Sequence, residues 1–141
     1  NKRKLSEANH QKEIIEYCNY LGIKVVGFFI IGMEGDNTSS IEKMVRYAIR
    51  QNIFMARFSV STPYPGTSYY NYLDEEKLLL NKDYENYNQF TQVIKQDGLK
   101  SSDVEKLVLN AYKHYYLRGE KIYSLIFDQI KYLVHENIYP R

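Results

Sequence analysis

The sequence predicts an α/β fold built around two parallel strands that are joined through one helix. Residues 25–31 (VVGFFII) are β-branched or aromatic with almost no interruption, which is typical of a parallel strand buried on both faces. Residues 41–48 then carry apolar side chains at helical spacing, and residues 53–61 alternate as a second strand. Because parallel strands need such a crossover connection, these segments predict a right-handed βαβ unit.

A helix is predicted ahead of the first strand, over residues 1–21. Its apolar positions Ile14, Cys18 and Leu21 recur at helical spacing and predict the face that is turned toward the core. Cys18 is therefore expected to be a small core residue and not a reactive thiol. Gly22 predicts the end of this helix, because glycine adopts the left-handed C-cap conformation without a steric penalty.

The second helix is predicted to begin at a capping box formed by Ser39 and Glu42 and to end near Gln51. One apolar stripe runs along this helix and should face the sheet. Its members are Ile41, Met44, Val45 and Ala48.

Alternation in the second strand predicts one apolar face and one more polar face. The apolar face holds Phe54, Ala56, Phe58 and Val60, and the other holds Met55, Arg57, Ser59 and Ser61. Because both faces of an open α/β sheet should be covered, the polar set predicts a pocket. Arg57 could pair with a nearby carboxylate or contact a ligand, and the pattern leaves both interpretations open.

The second strand is followed by TPYPGT, at residues 62–67. Proline restricts φ and glycine frees it, so this alternation predicts a stiff turn at the carboxyl end of the strand. Such a turn could form the wall of a binding site or be a tight turn without a ligand.

From Ser68 onward the chain is rich in tyrosine, asparagine and lysine, which predicts an ordered but loop-rich connector. A helix capped by Ser101 or Ser102 should follow, and after a break near Gly119 a last helix should complete an antiparallel hairpin against the βαβ unit. The predicted core positions are Val104, Leu107, Val108, Ala111, Tyr112 and Tyr115 in the first helix, and Ile122, Leu125, Ile126, Ile130 and Leu133 in the second.

The bulk composition excludes several classes of function. A chain of 141 residues with a net charge of +2 has room for one core and favours neither nucleic acid nor a membrane as a partner. Cys18 is the single cysteine, so this chain alone holds neither an internal disulfide nor an iron–sulfur cluster. No apolar run approaches the roughly 20 residues of a membrane span, and no signal peptide opens the chain, so a cytoplasmic protein is expected. Because the chain starts at Asn1 within a helical pattern, we expect a piece of a longer polypeptide.

Two glycine-bearing loops, at residues 32–37 and 62–67, follow strands that run in the same direction. They should therefore lie at one edge of the sheet, where α/β proteins bind ligands. The first loop leads into a helix N-terminus, which favours strong hydrogen-bond acceptors. Glu34 and Asp36 would repel a phosphate but would accept hydrogen bonds from ribose hydroxyls or an amino group. A small organic cofactor with a sugar and an ammonium group is the ligand that this loop favours.

The combination GIKVVGFFIIGMEGDN and PYPGT resembles the carboxyl-terminal half of a radical S-adenosylmethionine (SAM) enzyme core. It is most similar to the cobalamin-binding class, which includes the anaerobic magnesium-protoporphyrin cyclase, and the resemblance continues through DYENYNQF and SSDVEKLVLNAYKHYYLRGEKI. In that family the core is a partial, six-stranded (β/α)6 TIM-like barrel. The resemblance implies that residues 1–67 supply its last two strands, and residues 68–141 a polar-aromatic connector and the trailing helical hairpin.

The resemblance also implies a set of SAM-binding residues. In the fifth-strand motif GxIxGxxE, Ile30 and Gly32 match, whereas Phe28 stands at the first glycine and Gly35 at the glutamate. The local form of this motif in the cobalamin-binding class, G-L-P-G-E, aligns without a gap with residues 32–36, where Glu34 replaces the proline. The residues that the resemblance places at or beside the SAM site are Ile30, Gly32, Gly35 and Asp36 in the first strand and loop, Pro63, Pro65 and Gly66 at its far wall, and Arg57 and Ser59 facing the barrel interior.

The family binds its four-iron four-sulfur cluster through CxxxCxxC, which this chain lacks. The resemblance therefore implies a fragment of a radical SAM oxidoreductase or methyltransferase that holds part of the SAM pocket and is inactive alone. The cluster, and cobalamin if the parent uses it, would belong to the full-length protein. Expected partners are the missing amino-terminal part, a small-molecule substrate and other copies of the fragment. The alternatives are a non-enzymatic α/β module that binds a small ligand, and a tyrosine-rich helical interaction domain.

Overall fold

The computed structural model describes residues 2–97 and 99–138, with side chains from residue 9 to 97 and from 99 to 132. In chain order the elements are α1 (Lys2–Tyr20), β1 (Val26–Ile31), α2 (Thr38–Arg50), β2 (Met55–Val60), α3 (Ser68–Glu75), a short 3-10 turn (Tyr84–Asn86), α4 (Ser101–Tyr116) and α5 (Gly119–Ile138). β1 and β2 are adjacent and parallel, in a register that pairs Val26 with Met55 and Ile31 with Val60. The predicted α/β class and the βαβ order are confirmed.

The main core lies between one face of the sheet and helices α2 and α4. Its buried members are Ile31, Ile53, Ala56, Phe58 and Val60 around the strands, Ile41, Val45 and Ala48 from α2, and Leu99, Val104, Val108, Ala111 and Tyr115 from α4 and the residues before it. The apolar stripes predicted for both helices are thus confirmed. Phe58 is fully buried and stacks on Phe29 at a centroid distance of 5.3 Å, and burial of such a ring contributes about 1.5–3 kcal/mol.

The opposite face of the sheet is exposed. Along β1 the side chains alternate between exposed and more buried, and Phe28 is 72% exposed. The prediction that this strand is buried on both faces is therefore wrong for the described part of the chain. The reason is that α2 and α4 pack on one face only. Val26, Phe28, Ile30 and Met55 form a row of exposed apolar side chains on the other face.

The outer edge of β2 is closed by hydrogen bonds from α4 and from the connector. The Ala56 N–H donates to the Tyr116 hydroxyl at 3.1 Å, and the same hydroxyl donates to the Ala56 carbonyl at 2.9 Å. Tyr112 makes the same pair of bonds with Phe58, at 3.2 and 3.0 Å. Further along, the Val60 N–H donates to the Gln89 carbonyl at 2.7 Å. All these groups belong to alternate residues of β2 and point away from β1, so no further strand can pair on this side.

Helix α1 ends as predicted but turns a different face inward. Gly22 has a φ of +73° and the N–H of Ile23 donates to the Cys18 carbonyl at 2.8 Å, the pattern of a Schellman C-cap. Ile15 packs against the core, whereas Ile14 and Leu21 are about half exposed. Cys18 is partly buried. The predicted stripe is therefore wrong for two of its three members.

The N-caps of α2 and α4 differ from the predicted ones. The capping box of α2 is formed by Asn37 and Ser40, in place of Ser39 and Glu42, since the Asn37 side chain accepts from the Ser40 N–H and the Ser40 hydroxyl accepts from the Asn37 N–H. The N-cap of helix α4 is Lys100, which makes no side-chain capping bond, so neither Ser101 nor Ser102 caps the helix.

Helix α5 starts at Gly119, in agreement with the predicted break, but its apolar stripe is largely exposed. Ile122, Ile126 and Ile130 are 40%, 51% and 53% exposed, so their predicted core role is wrong, and Leu133 lies outside the described side chains. The helix meets the sheet unit near its start, where the Lys121 ammonium donates to the carbonyls of Ile53 and Phe54.

The connector contains more regular structure than the sequence predicted. SYYNYL forms most of α3, and an antiparallel bridge joins Leu79 to Ile94. A second, smaller core holds these pieces together through Tyr70, Leu73, Tyr87, Val93 and Ile94. The connector is therefore a packed unit beside the carboxyl end of β2.

Candidate functional site

The loop after β1 is held in shape by Asp36. One carboxylate oxygen of Asp36 accepts from the N–H groups of Gly32 and Met33, both at 3.0 Å, and the other accepts from the Ser40 hydroxyl at 2.9 Å. Gly32 and Gly35 both have a φ of +84°, a conformation that favours glycine. Because one oxygen of Asp36 is engaged by the loop and the other by the first turn of α2, this residue builds the site and has little capacity left for a ligand.

Two glutamines of the connector lie behind the same loop. Gln96 donates its side-chain N–H to the Gly32 carbonyl. The carbonyl oxygen of the Gln92 side chain lies 3.0 Å from the point that a Cβ on Gly32 would occupy. A Cβ on Gly32 would therefore press on the Gln92 side chain as well as strain the backbone, whereas a Cβ on Gly35 would point into open space.

The loop after β2 is a tight turn that starts helix α3. The Thr67 N–H donates to the Tyr64 carbonyl at 3.2 Å, and Gly66 follows Pro65 with a φ of +86°, which is the pattern of a type II turn. The Thr67 hydroxyl then caps α3 by accepting from the Tyr70 N–H. Pro63 is fully buried. The predicted stiff turn is confirmed.

A groove of about 360 Å³ lies between the two loops, on the exposed face of the sheet. Aromatic, aliphatic and hydroxyl side chains line it, and none of the lining residues is charged. They are Phe28, Tyr64 and Tyr69, Ile30, Met33 and Val60, Ser59, Ser61 and Thr62, and Gln89. Ile30 and Ser59 are direct partners in the parallel register, which explains why the sheet brings them together. Such a surface suits a mostly apolar or aromatic ligand with a few hydrogen-bonding groups.

A hydrogen-bonded chain of three side chains borders this groove. Arg57 Nη2 donates to Gln89 Oε1 at 3.2 Å, and Gln89 Nε2 donates to the Tyr64 hydroxyl at 2.8 Å. Gln89 has a φ of +69°, which is uncommon for a residue other than glycine. Its backbone carbonyl is bound to β2, so both ends of Gln89 are held in place.

A second cavity, of about 420 Å³, lies on the other side of the first loop. Glu34 and Gly35 form one wall, and Tyr69, Leu73 and Gln96 contribute to the others. Tyr69 lines both this cavity and the groove, so the two spaces lie on either side of this residue.

The predicted site residues therefore fall into three sets. Ile30 and Ser59 line the groove, with Arg57 next to it. Gly32, Gly35 and Asp36 form the neighbouring loop, while Pro65 and Gly66 are exposed and, like buried Pro63, line neither space. Whether any of them binds SAM stays a prediction.

Sequence reasoning missed Gln89, Gln92 and Gln96, and it included Tyr64 only within residues 63–66, the range expected to form the far wall of the site, without naming it. Tyr64 stands inside the PYPGT motif and could have been named from it. The glutamines carry no local signal, because their contacts with the strands and loops span between 25 and 64 residues of sequence.

Within the part of the chain that the structure describes, no group of three or more histidine, cysteine or acidic side chains is placed to hold a metal ion. None of the described helices is long and apolar enough to cross a bilayer.

Comparison with known proteins finds similarity to enzymes. The chain is 28% identical over 126 residues to an uncharacterized methyltransferase of Pyrococcus horikoshii, and 30% identical over 131 residues to the bacteriochlorophyllide d C-8(2)-methyltransferase of Chlorobaculum tepidum. It is 26% identical over 117 residues to the anaerobic magnesium-protoporphyrin IX monomethyl ester cyclase of Rubrivivax gelatinosus. No protein-family model matches the sequence.

The alignments cover most of this chain but only a small part of each relative. They cover 89%, 93% and 83% of this chain, but only 28%, 29% and 20% of the three relatives. The chain thus spans less than a third of the length of each relative.

Proposed function

We propose that this chain is the carboxyl-terminal part of the barrel of a radical SAM enzyme, either a methyltransferase or an oxidoreductase, and that it supplies one wall of the SAM pocket. The observation that carries the proposal is the groove between the two loops at the carboxyl ends of adjacent parallel strands. The match to less than a third of two methyltransferases and a cyclase supports the same assignment.

The edges of the sheet support a place at the end of a barrel. The outer edge of β2 is closed by Tyr112, Tyr116 and Gln89, whereas no hydrogen bond within the described residues occupies the outer edge of β1. Further strands can therefore join only beside β1. In the proposed barrel β2 is the last strand, and the amino-terminal part of the same protein covers the exposed face. The isolated chain would bury that face by self-association.

In the proposed pocket the groove takes the adenosyl part of SAM. Ile30 supplies an apolar contact for the adenine ring, and the hydroxyl of Ser59 is available to a polar group of the ligand. Gly32 and Asp36 act indirectly, because they fix the loop that borders the groove. The groove is uncharged, which suits an adenosyl group better than a polyphosphate.

The iron–sulfur cluster of the parent enzyme would lie outside this chain. Cys18 is the single cysteine, so the ligands present here do not fit a cluster. In the full-length enzyme the cluster would supply the electron for reductive cleavage of SAM. The residues of this chain would bind and orient SAM and exclude water from one side.

The full-length protein provides the test. We expect a CxxxCxxC motif in the reading frame well upstream of Asn1. The protein, reconstituted anaerobically with iron and sulfide and supplied with SAM and a reductant, should release 5′-deoxyadenosine. A variant with the three motif cysteines changed to alanine is the control and should release none. An intact cluster that yields no 5′-deoxyadenosine would refute the radical SAM assignment and favour the non-enzymatic ligand-binding module.

A further inference from the structure

Arg57 is a cation placed on an apolar surface. It lies in the middle of β2 on the exposed face of the sheet, and its register partner on β1 is Phe28. Met55 and Ser59 flank it on its own strand, and Val26 and Ile30 flank Phe28 on the neighbouring one. None of these neighbours carries a negative charge.

Arg57 has no anionic partner among the described residues. The salt bridges found there join Lys12 to Glu16, Lys24 to Asp128, Arg46 to Glu42 and Lys82 to Asp74. The one described hydrogen bond of the Arg57 side chain is the Nη2 bond to Gln89. A guanidinium has five N–H donors in a planar fork, so most of its donors remain available to a ligand.

The guanidinium is also held toward the groove. Gln89 accepts from Arg57 through its side-chain oxygen, donates to Tyr64 through its side-chain nitrogen, and is fixed to β2 through its backbone carbonyl. Gln89 and Tyr64 both line the groove, so Arg57 stands at its border, next to its register partner Phe28.

From this arrangement we infer that Arg57 is a carboxylate anchor, and that it binds the acidic end of a ligand whose apolar or aromatic body lies in the groove or on the row of exposed apolar side chains beside it. The inference rests on the proposed function, since the unpaired guanidinium of Arg57 is destabilising only when this face of the sheet is covered. In a barrel interior an unpaired guanidinium would be strongly destabilising, whereas a bidentate pair with a carboxylate satisfies its donors. The carboxylate can belong to the substrate or to the amino-acid end of SAM.

Two pairs of probes separate these sources in the full-length protein. Pyrenebutyrate and pyrenebutyramide share an aromatic body and differ in the carboxylate. S-adenosylhomocysteine and 5′-methylthioadenosine share the adenosyl group and differ in the amino-acid end. In at least one pair we expect the compound that carries the carboxylate to bind about 10- to 100-fold more tightly than the compound that lacks it. This is the range for hydrogen bonds to a charged group.

The variant Arg57→Met should remove that preference and leave the binding of the neutral partner unchanged. Arg57→Lys keeps the charge without the planar fork and should retain part of the preference. Arg46→Met, on the surface of α2, removes an equal charge from the other side of the sheet and should change nothing. Loss of preference for pyrenebutyrate assigns the site to a substrate carboxylate, and loss for S-adenosylhomocysteine assigns it to SAM.

Equal binding of acid and neutral partner by the unmodified protein would overturn the inference, as would a preference that survives in Arg57→Met. These binding measurements need neither reductant nor turnover, so they are independent of the assay for 5′-deoxyadenosine. A protein that forms 5′-deoxyadenosine without any acid preference retains the proposed function and loses the anchor. A protein that shows the Arg57-dependent preference but forms no 5′-deoxyadenosine retains the anchor and loses the proposed function.

Discussion

The tyrosine hydroxyls that close the edge of β2 should each contribute measurably to stability. Tyr112→Phe and Tyr116→Phe keep the rings in place but remove two hydrogen bonds apiece to the backbone of Phe58 and Ala56. Ala56 and Phe58 are 1% and 0% exposed, so water cannot easily replace the lost partners. An unsatisfied buried polar group costs about 1–3 kcal/mol, so we expect each variant to lose about 2 kcal/mol.

The double variant should lose about 4 kcal/mol, with some departure from additivity, because the rings of Tyr112 and Tyr116 stack at 6.1 Å. Urea denaturation followed by far-UV circular dichroism measures these losses. Tyr123→Phe, at a position that is 76% exposed, is the matched control and should change stability by less than about 0.5 kcal/mol. Losses of that same small size for both edge variants would refute the view that the hydroxyls seal β2.

Three further predictions concern the core and the first loop. Burial raises the pKa of Tyr115 to about 12, above the ordinary value of 10.0, so the folded chain keeps a proton that the unfolded chain loses between these pH values. The stability from this group is complete below pH 10 and is lost as the pH rises toward 12, on the order of 2–3 kcal/mol. Tyr115→Phe should make the loss of stability over this pH range smaller by that amount, as measured by urea titrations at a series of pH values. Asp36→Ala removes the acceptor of three loop hydrogen bonds and should cost about 2–3 kcal/mol in urea unfolding, with a smaller loss for Asp36→Asn; an unchanged midpoint would contradict the role given to Asp36. Gly35→Ala should cost about 1–2 kcal/mol for its positive φ alone, and Gly32→Ala should cost more, because its Cβ also meets Gln92; equal losses in urea unfolding would count against that contact.

Local periodicity was sufficient to predict the strands and the inner faces of two helices. The stripe of α4 was predicted correctly because Val104, Val108 and Ala111 repeat at helical spacing and the helix packs along its length on the sheet. The same reasoning failed for α5, where Ile126 and Ile130 are as regular but exposed. Periodicity reports that a helix has an apolar face, and it does not report whether an element of the same chain covers that face.

The site was predictable to the extent that it follows from strand direction. Parallel strands place their carboxyl ends together, which is why Ile30 and Ser59 were expected on one surface and are paired. The role of Asp36 could not be read from composition, because a carboxylate that binds ribose and one that binds its own loop look identical in sequence. Gln89 could not be predicted as a residue of the groove for a different reason, since its position depends on a connector that folds back across the edge of β2.

The asymmetry of the sheet links stability to ligand binding. The edge that is closed lies on the side of α4, and the exposed apolar row includes the β1 residues Val26, Phe28 and Ile30. Because the groove lies on an exposed face of the sheet, it leaves much of a bound ligand in water, whereas functional sites bury most of their ligand. In the barrel that we propose, further walls would join at the outer edge of β1, along which no hydrogen bond is found among the described residues, so the element that covers the apolar face of this chain would also complete the pocket. Under that proposal, assembly of the barrel and formation of the ligand site would be one event, and Arg57 would lose its access to water only when that event occurs.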